Sequence, residues 1–151
     1  MSRPSSKTRA HRAIHLDRFL PYLFSVLGHR LSLGNPDLVA EGHRLTVQEW
    51  KVISIIADHG AVTPSEIGRY GTLDKSTISW AIKRLKKRGL IATGPRARDG
   101  RTFEASMTPR GWAFYESLAP KARRRAAEGL AALSPEEVRV LTRLVTRLAR
   151  R

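Results

Sequence analysis

Between Lys83 and Arg101 lie eight basic residues (Lys83, Arg84, Lys86, Lys87, Arg88, Arg96, Arg98 and Arg101) and one acid, Asp99. Just upstream, Lys75, Ser76, Thr77, Ser79 and Trp80 supply a cation, small hydroxyls and an aromatic ring. Cations at this density neutralise phosphates, and short hydroxyl side chains beside them permit close approach to a polyanion. That is the chemistry of charge recognition, not of bond cleavage.

Residues for other chemistry are missing or badly spaced. The chain has no cysteine, which excludes disulfides, thiol catalysis and thiolate metal sites. Its five histidines (His11, His15, His29, His43 and His59) have no metalloprotease or zinc spacing. His11 and His15 could share a helical face, but no third ligand stands near them. No glycine-rich phosphate loop and no nucleophile elbow occurs. Neither an enzyme activity nor a cofactor or metal is expected.

Composition sets the frame for that basic segment. The 151 residues are 41% hydrophobic and 27% charged, as in an ordinary folded domain. No run approaches the ~18 apolar residues of a membrane span, and the N-terminus lacks the apolar core of a signal peptide, so a cytoplasmic protein is expected. The net charge of +15 exceeds what solubility needs and favours nucleic acid over an anionic membrane surface.

The elements that must position these residues are marked by their caps. Thr46-x-x-Glu49, Thr63-Pro64-Ser65-Glu66 and Ser134-Pro135-Glu136-Glu137 each pair an N-cap hydroxyl with a glutamate three residues on. Asp74 and Thr108-Pro109 are two further cap candidates. These starts predict helices near 46–58, 63–70, 74–88, 108–132 and 134–150. A sixth precedes them, with Ile14, Leu16, Phe19, Leu20, Leu23, Phe24, Leu27 and Leu31 at three- and four-residue steps. Pro21 inside that stripe implies either a kink or a later start. Residues 1–9 read as a mobile basic arm, and Gly34-Asn35-Pro36 ends the first helix before a polar connection to about Arg44.

After Gly89 the periodicity changes. Leu90–Thr93 and Thr102–Met107 have strand composition, joined by the arginine-rich turn Gly94–Gly100. The fold class is therefore mainly α with one small β-hairpin. On helix 74–88, Ile78, Ala81, Ile82 and Leu85 share one sector at about 100° per residue and form its core face. Ser76, Ser79, Trp80, Lys83 and Lys87 occupy the opposite sector, and no acid follows Asp74 on this helix. Two short helices around Gly71-Thr72-Leu73, with a hairpin directly after, make a winged helix-turn-helix. Its second helix suits a major groove and its lysines the flanking phosphates.

From about Leu45 to Gly111 the chain resembles the multiple-antibiotic-resistance regulator (MarR) family of bacterial winged-helix transcription factors. The resemblance rests on Leu45-Thr46-Val47-Gln48-Glu49-Trp50, Asp74-Lys75-Ser76-Thr77-Ile78-Ser79, Arg84-Leu85-Lys86-Lys87-Arg88-Gly89-Leu90-Ile91, Asp99-Gly100-Arg101 and Met107-Thr108-Pro109-Arg110-Gly111, in that order. The flanking helices extend it over nearly the whole chain. It implies a homodimer in which 10–36 and 108–151 form the dimerisation region and 45–107 the DNA-binding lobe, all within one domain, 10–151. The wide apolar stripes of the first and last two helices agree, since one small lobe cannot cover them.

The resemblance also assigns residues. Ser76, Thr77, Ser79, Trp80 and Lys83 fall where the family meets the major groove; beside that carry-over, Lys75, Arg84, Lys87, Arg96 and Arg98 are further expected DNA contacts of this chain. Arg101 matches the wing arginine that enters the minor groove, and Asp99 the acid that steadies it. Trp80 departs from the family, where an arginine or another polar residue is common; it either meets thymine methyls and sugars or folds back on the lobe. Many family members release DNA when a small aromatic acid, or its coenzyme A thioester, enters the crevice between dimer core and lobe. Here His15, Arg18, Phe19, Tyr22, Arg44 and Trp50 would line that crevice.

The expectation is thus a ligand-responsive repressor of a palindromic operator on double-stranded DNA, in the bacterial cytoplasm and associated with the nucleoid, with no membrane partner. Two other readings stand beside it. An architectural protein would compact DNA by charge alone, using Arg123-Arg124-Arg125 and the Arg139/Arg143/Arg147/Arg150 face. An RNA-binding winged domain is disfavoured, because the exposed face lacks an aromatic stacking platform.

Overall fold

The computed structural model describes residues 14–33, 45–96 and 99–149, with the backbone alone for 32–33 and 99–101. The expected arm at 1–9, the connection up to Arg44, and Arg98 and Arg150 lie outside the described residues. Among the described residues are a 3₁₀ turn (Leu16–Arg18), six α-helices and one hairpin. The helices are α1 (Leu20–Leu33), α2 (Val47–His59), α3 (Pro64–Gly71), α4 (Lys75–Lys87), α5 (Pro109–Gly129) and α6 (Pro135–Ala149); the strands are β1 (Ile91–Arg96) and β2 (Asp99–Met107). No helix among the described residues is long and apolar enough to cross a membrane.

The chain comprises two units, Met1–Gly34 and Asn35–Arg151. In the first, the Phe19 N–H donates to the Leu16 carbonyl at 3.3 Å, closing a short turn before α1. Pro21 is then the second helical residue, so the later start is the one observed. A first-turn N–H has no partner within the helix, and proline there forfeits nothing. Ile14, Leu16, Phe19, Leu20, Leu23 and Phe24 are all exposed, Leu20 at 61%.

In the second unit the expected helix starts are present with their caps. Thr46 and Glu49, Thr63 and Glu66, and Ser134 and Glu137 each exchange backbone-to-side-chain hydrogen bonds in both directions. Asp74 accepts from the Thr77 N–H at 2.9 Å and Thr108 Oγ1 from the Gly111 N–H at 2.9 Å. The core joins Val52, Ile53 and Ile56 of α2, Ile67 of α3, Ile78, Ala81, Ile82 and Leu85 of α4, Leu90, Ile91 and Ala105 around the hairpin, and Leu118 of α5. Helix α5 stops at Gly129, three residues short of the expected 132, and a short turn through Leu133 leads to α6. None of the residues of α6 is buried, and Leu148 is 57% exposed.

The α3–α4 turn uses its residues unexpectedly. Thr72, not Gly71, has the left-handed backbone, with φ of +50°. Gly71 serves packing instead: a Cβ there would stand 3.0 Å from Ile55 and 3.2 Å from Leu73.

The hairpin is longer than its composition implied. Ile91 pairs with Met107 and the ladder runs through Gly94 and Pro95, opposite Glu104 and Phe103, before Arg96 meets Asp99. A register irregularity between Pro95 and Arg96 lets the ladder tolerate a residue without an N–H. Val62 and Ala105 exchange backbone hydrogen bonds at 3.0 and 2.8 Å, tying the wing to the start of the helix-turn-helix.

Candidate nucleic-acid interface

Helix α4 is amphipathic because its apolar residues recur every three or four positions. Ile78, Ala81, Ile82 and Leu85 are buried, while Lys75, Ser76, Ser79, Trp80, Lys83, Arg84 and Lys87 are exposed. The sequence-predicted contacts of this helix therefore share one solvent face, apart from Thr77, which is half-buried.

The N-cap alters what that face offers. The Ser76 hydroxyl donates to Asp74 Oδ1, and the Thr77 hydroxyl donates to Oδ2 at 2.6 Å. These hydroxyls and the Thr77 N–H hold the Asp74 carboxyl far below the usual carboxylate range. With their protons committed to the cap, Ser76 and Thr77 offer lone pairs outward, whereas Ser79 has no such tie.

Arg84 makes two contacts that matter here. Its Nε donates to Glu49 Oε1 at 2.9 Å, and Glu49 is fully buried. Burial pushes the Glu49 pKa up, but the Thr46 N–H and the Arg84 guanidinium outweigh it, so the net shift is downward. The same guanidinium lies over the Trp80 ring, 4.9 Å from its centroid. Trp80 does not fold into the lobe: it remains 45% exposed.

The wing is braced in turn. Arg96 Nη2 donates to Glu66 Oε1 at 3.2 Å, while Glu66 Oε2 accepts from the Thr63 N–H and hydroxyl at 2.8 Å each. The Thr63 bonds first, and then Arg96, lower the Glu66 pKa. Lys86, absent from the sequence-predicted set, donates to Thr93 Oγ1 at 2.8 Å and joins α4 to β1. Asp99 and Arg101 take backbone positions on β2 at the distal end of the hairpin, and Arg98 lies outside the described residues. Between α4, the start of α3 and the hairpin runs a groove of about 920 Å³, lined by Lys75, Ser79, Lys83 and Lys86 over a floor that includes Leu73, Ile78, Ile82 and Phe103. Phe103 was missed because its placement depends on strand register, which the composition of the turn obscured, and Lys86 because its tie to Thr93 depends on how β1 packs beside α4.

The residues expected around a ligand divide between the two units. His15, Arg18, Phe19 and Tyr22 belong to the first and are exposed. Trp50 belongs to the second, half-buried and stacked on Tyr115 with ring centroids 5.4 Å apart. Arg44 lies outside the described residues.

Known proteins resemble this chain in sequence and fold. Residues 44–102 match the model of the MarR family. The HTH-type transcriptional repressor IacR of Pseudomonas putida is 25% identical over 146 residues, covering 94% of this chain and 87% of that one. The crystal structure of a probable transcriptional regulator from Pseudomonas aeruginosa is 30% identical, with a TM-score of 0.75 over 89% of this chain and 99% of that one. The PcaV transcriptional regulator from Streptomyces coelicolor, solved in complex with its natural ligand, is 26% identical, with a TM-score of 0.76 over 91% and 96%. A capped, basic α4, a braced hairpin and likenesses that run nearly end to end lead to one conclusion: the chain belongs to the MarR family of winged-helix transcriptional regulators.

Proposed function

We propose that the protein is a homodimeric, sequence-specific repressor of a palindromic operator, relieved by a small aromatic acid or its coenzyme A thioester. The observation that carries the DNA reading is the solvent face of α4, where Ser76, Ser79, Trp80, Lys83 and Lys87 stand together without an acid. In this reading Lys75 and Ser79 approach base edges, and Lys83, Arg84 and Lys87 hold phosphates. Arg96 and Arg98 flank the wing, and Arg101, steadied by Asp99, enters the minor groove. Dimerisation through 10–36 and 108–151 is supported by the exposed apolar residues of α1 and α6, which need a partner surface. The lobe at 45–107 is then presented twice, to half-sites about one DNA turn apart. The bacterial nucleoid would be its place of work.

The release step draws support from PcaV, solved with its natural ligand. His15, Arg18, Phe19, Tyr22, Arg44 and Trp50 supply rings and cations suited to an aromatic carboxylate. Ligand that binds better to a DNA-incompetent arrangement shifts the population away from the operator.

Salt separates this reading from a compacting protein, which the +15 charge and the Arg139, Arg143 and Arg147 face of α6 would suit. A repressor retains its operator duplex at salt that strips it from a scrambled one; a compactor loses both together. Lys87→Ala is expected to reduce the slope of log affinity against log salt by about one unit or less per protomer. An unchanged slope would remove Lys87 from the phosphate contacts. Arg101→Ala is expected to weaken operator binding about ten-fold, with the dimer intact by sedimentation. Equal affinity would take the wing out of the interface.

A further inference from the structure

We infer that Trp80 is a specificity-determining residue, whose indole reads the C5-methyl group of a thymine in each half-site. The inference rests on the DNA-binding reading above and goes beyond it to name what one side chain recognises.

Trp80 stands in the middle of the solvent face of α4, one turn after Ser76 and one turn before Arg84. It is a large apolar side chain left 45% exposed on a helix whose other exposed residues are polar or charged. It is also held in place. The Arg84 guanidinium lies 4.9 Å from its ring centroid, and that guanidinium is anchored by Nε to the buried Glu49. Glu49 is fixed in turn by the Thr46 N–H at 2.8 Å. A chain of contacts therefore runs from the core to the exposed ring, so ordering the indole on binding costs little entropy.

The chemistry of that ring selects its target. The indole has no charge and a single N–H donor, so most of what it offers is apolar ring, whereas the lysines around it are the groups suited to phosphates. In a major groove the apolar feature of the base edges is the thymine methyl. Charge complementarity brings the duplex to this face through Lys83, Arg84 and Lys87, and the indole then meets a methyl group at the centre of the helix contact.

Deoxyuridine tests this, because it removes the methyl group and leaves every hydrogen-bonding atom of thymine in place. Each thymine of the operator enriched by the full-length protein would be replaced in turn. One position per half-site is expected to lose about four-fold in affinity, the value of one buried methyl group. Trp80→Ala should bind the thymine and uracil duplexes equally, while Trp80→Phe should retain part of the difference. Uracil tolerated at every position, a half-site without thymine, or discrimination that persists in Trp80→Ala would each overturn the inference while leaving a sequence-specific regulator intact. Loss of the dimer in Trp80→Ala, together with tolerance of uracil, would assign the ring to a protein partner instead. Failure to enrich any sequence would remove the regulator reading itself.

Discussion

Gly111→Ala is expected to destabilise the lobe by about 3 kcal/mol, the upper range for a forced clash in a packed site. Helix α5 docks its first turn on the residues entering β1. The Thr108 N–H and hydroxyl both donate to the Leu90 carbonyl, at 3.1 Å each, and the hydroxyl also reaches the Gly89 carbonyl at 2.7 Å. A Cβ on Gly111 would stand 1.9 Å from the Leu90 oxygen and 2.9 Å from its carbon. Those are backbone atoms, which no rotamer change can clear. Relief requires α5 to lift from β1, opening a core that includes Leu90 and Ile91. The gain in helix propensity from alanine, about 1 kcal/mol, offsets part of the cost and leaves the sign unchanged. Urea unfolding at fixed protein concentration measures it, with Arg110→Ala as a neighbouring exposed control. A change within 0.5 kcal/mol of zero would contradict this close approach.

Arg84→Ala is expected to cost about 2 kcal/mol of stability. Removing one partner of a fully buried pair typically costs about 3–5 kcal/mol. Here Glu49 is buried but the Arg84 side chain is 45% exposed, so water takes up part of the loss. The pH dependence identifies the cause. Glu49 titrates below its ordinary value near 4.5, so its contribution is complete above that pH and fades as pH falls through the lowered folded value. Without Arg84 the burial and the Thr46 bonds remain but the guanidinium's pull is lost, so the pKa moves back toward its ordinary value and acid removes less stability at this site. Stability measured from about pH 5 downward, through the lowered folded value, should therefore fall less steeply in Arg84→Ala than in the parent. Glu49→Gln should likewise flatten the fall, because it removes the titrating group. A parallel fall in all three proteins would show that the pair does not act through this carboxylate.

Local signals carried most of the fold, and non-local ones were hidden. A capping box involves residues three apart, so Thr46, Thr63, Asp74, Thr108 and Ser134 announced five helix starts that the structure places within a residue. Strand pairing has no such locality. Gly94 and Pro95 look like a turn, yet the ladder passes through them because the partners Glu104 and Phe103 and an irregularity at Arg96 accept them. Glu49 was legible only as a cap residue, although it lies one turn before the buried Ile53. Its partner Arg84 is 35 residues away, and the i+4 stacking of Arg84 on Trp80 depends on where that guanidinium is anchored. The exposed ring followed from helical spacing; what holds it did not. Ser76 and Thr77 were legible as hydroxyls near the start of a helix, but only the structure commits their protons to Asp74.

Selection of bound duplexes from a random pool, with the full-length protein at roughly physiological salt, decides whether this chain reads sequence. Weakened nonspecific binding leaves sequence reading to decide what is retained. The expected result is an enriched palindrome with half-sites about 10 bp apart, centre to centre, as two recognition helices related by a two-fold axis require. Tight binding at low salt with no enriched sequence at physiological salt would contradict it, and would make this chain a charge-driven DNA binder.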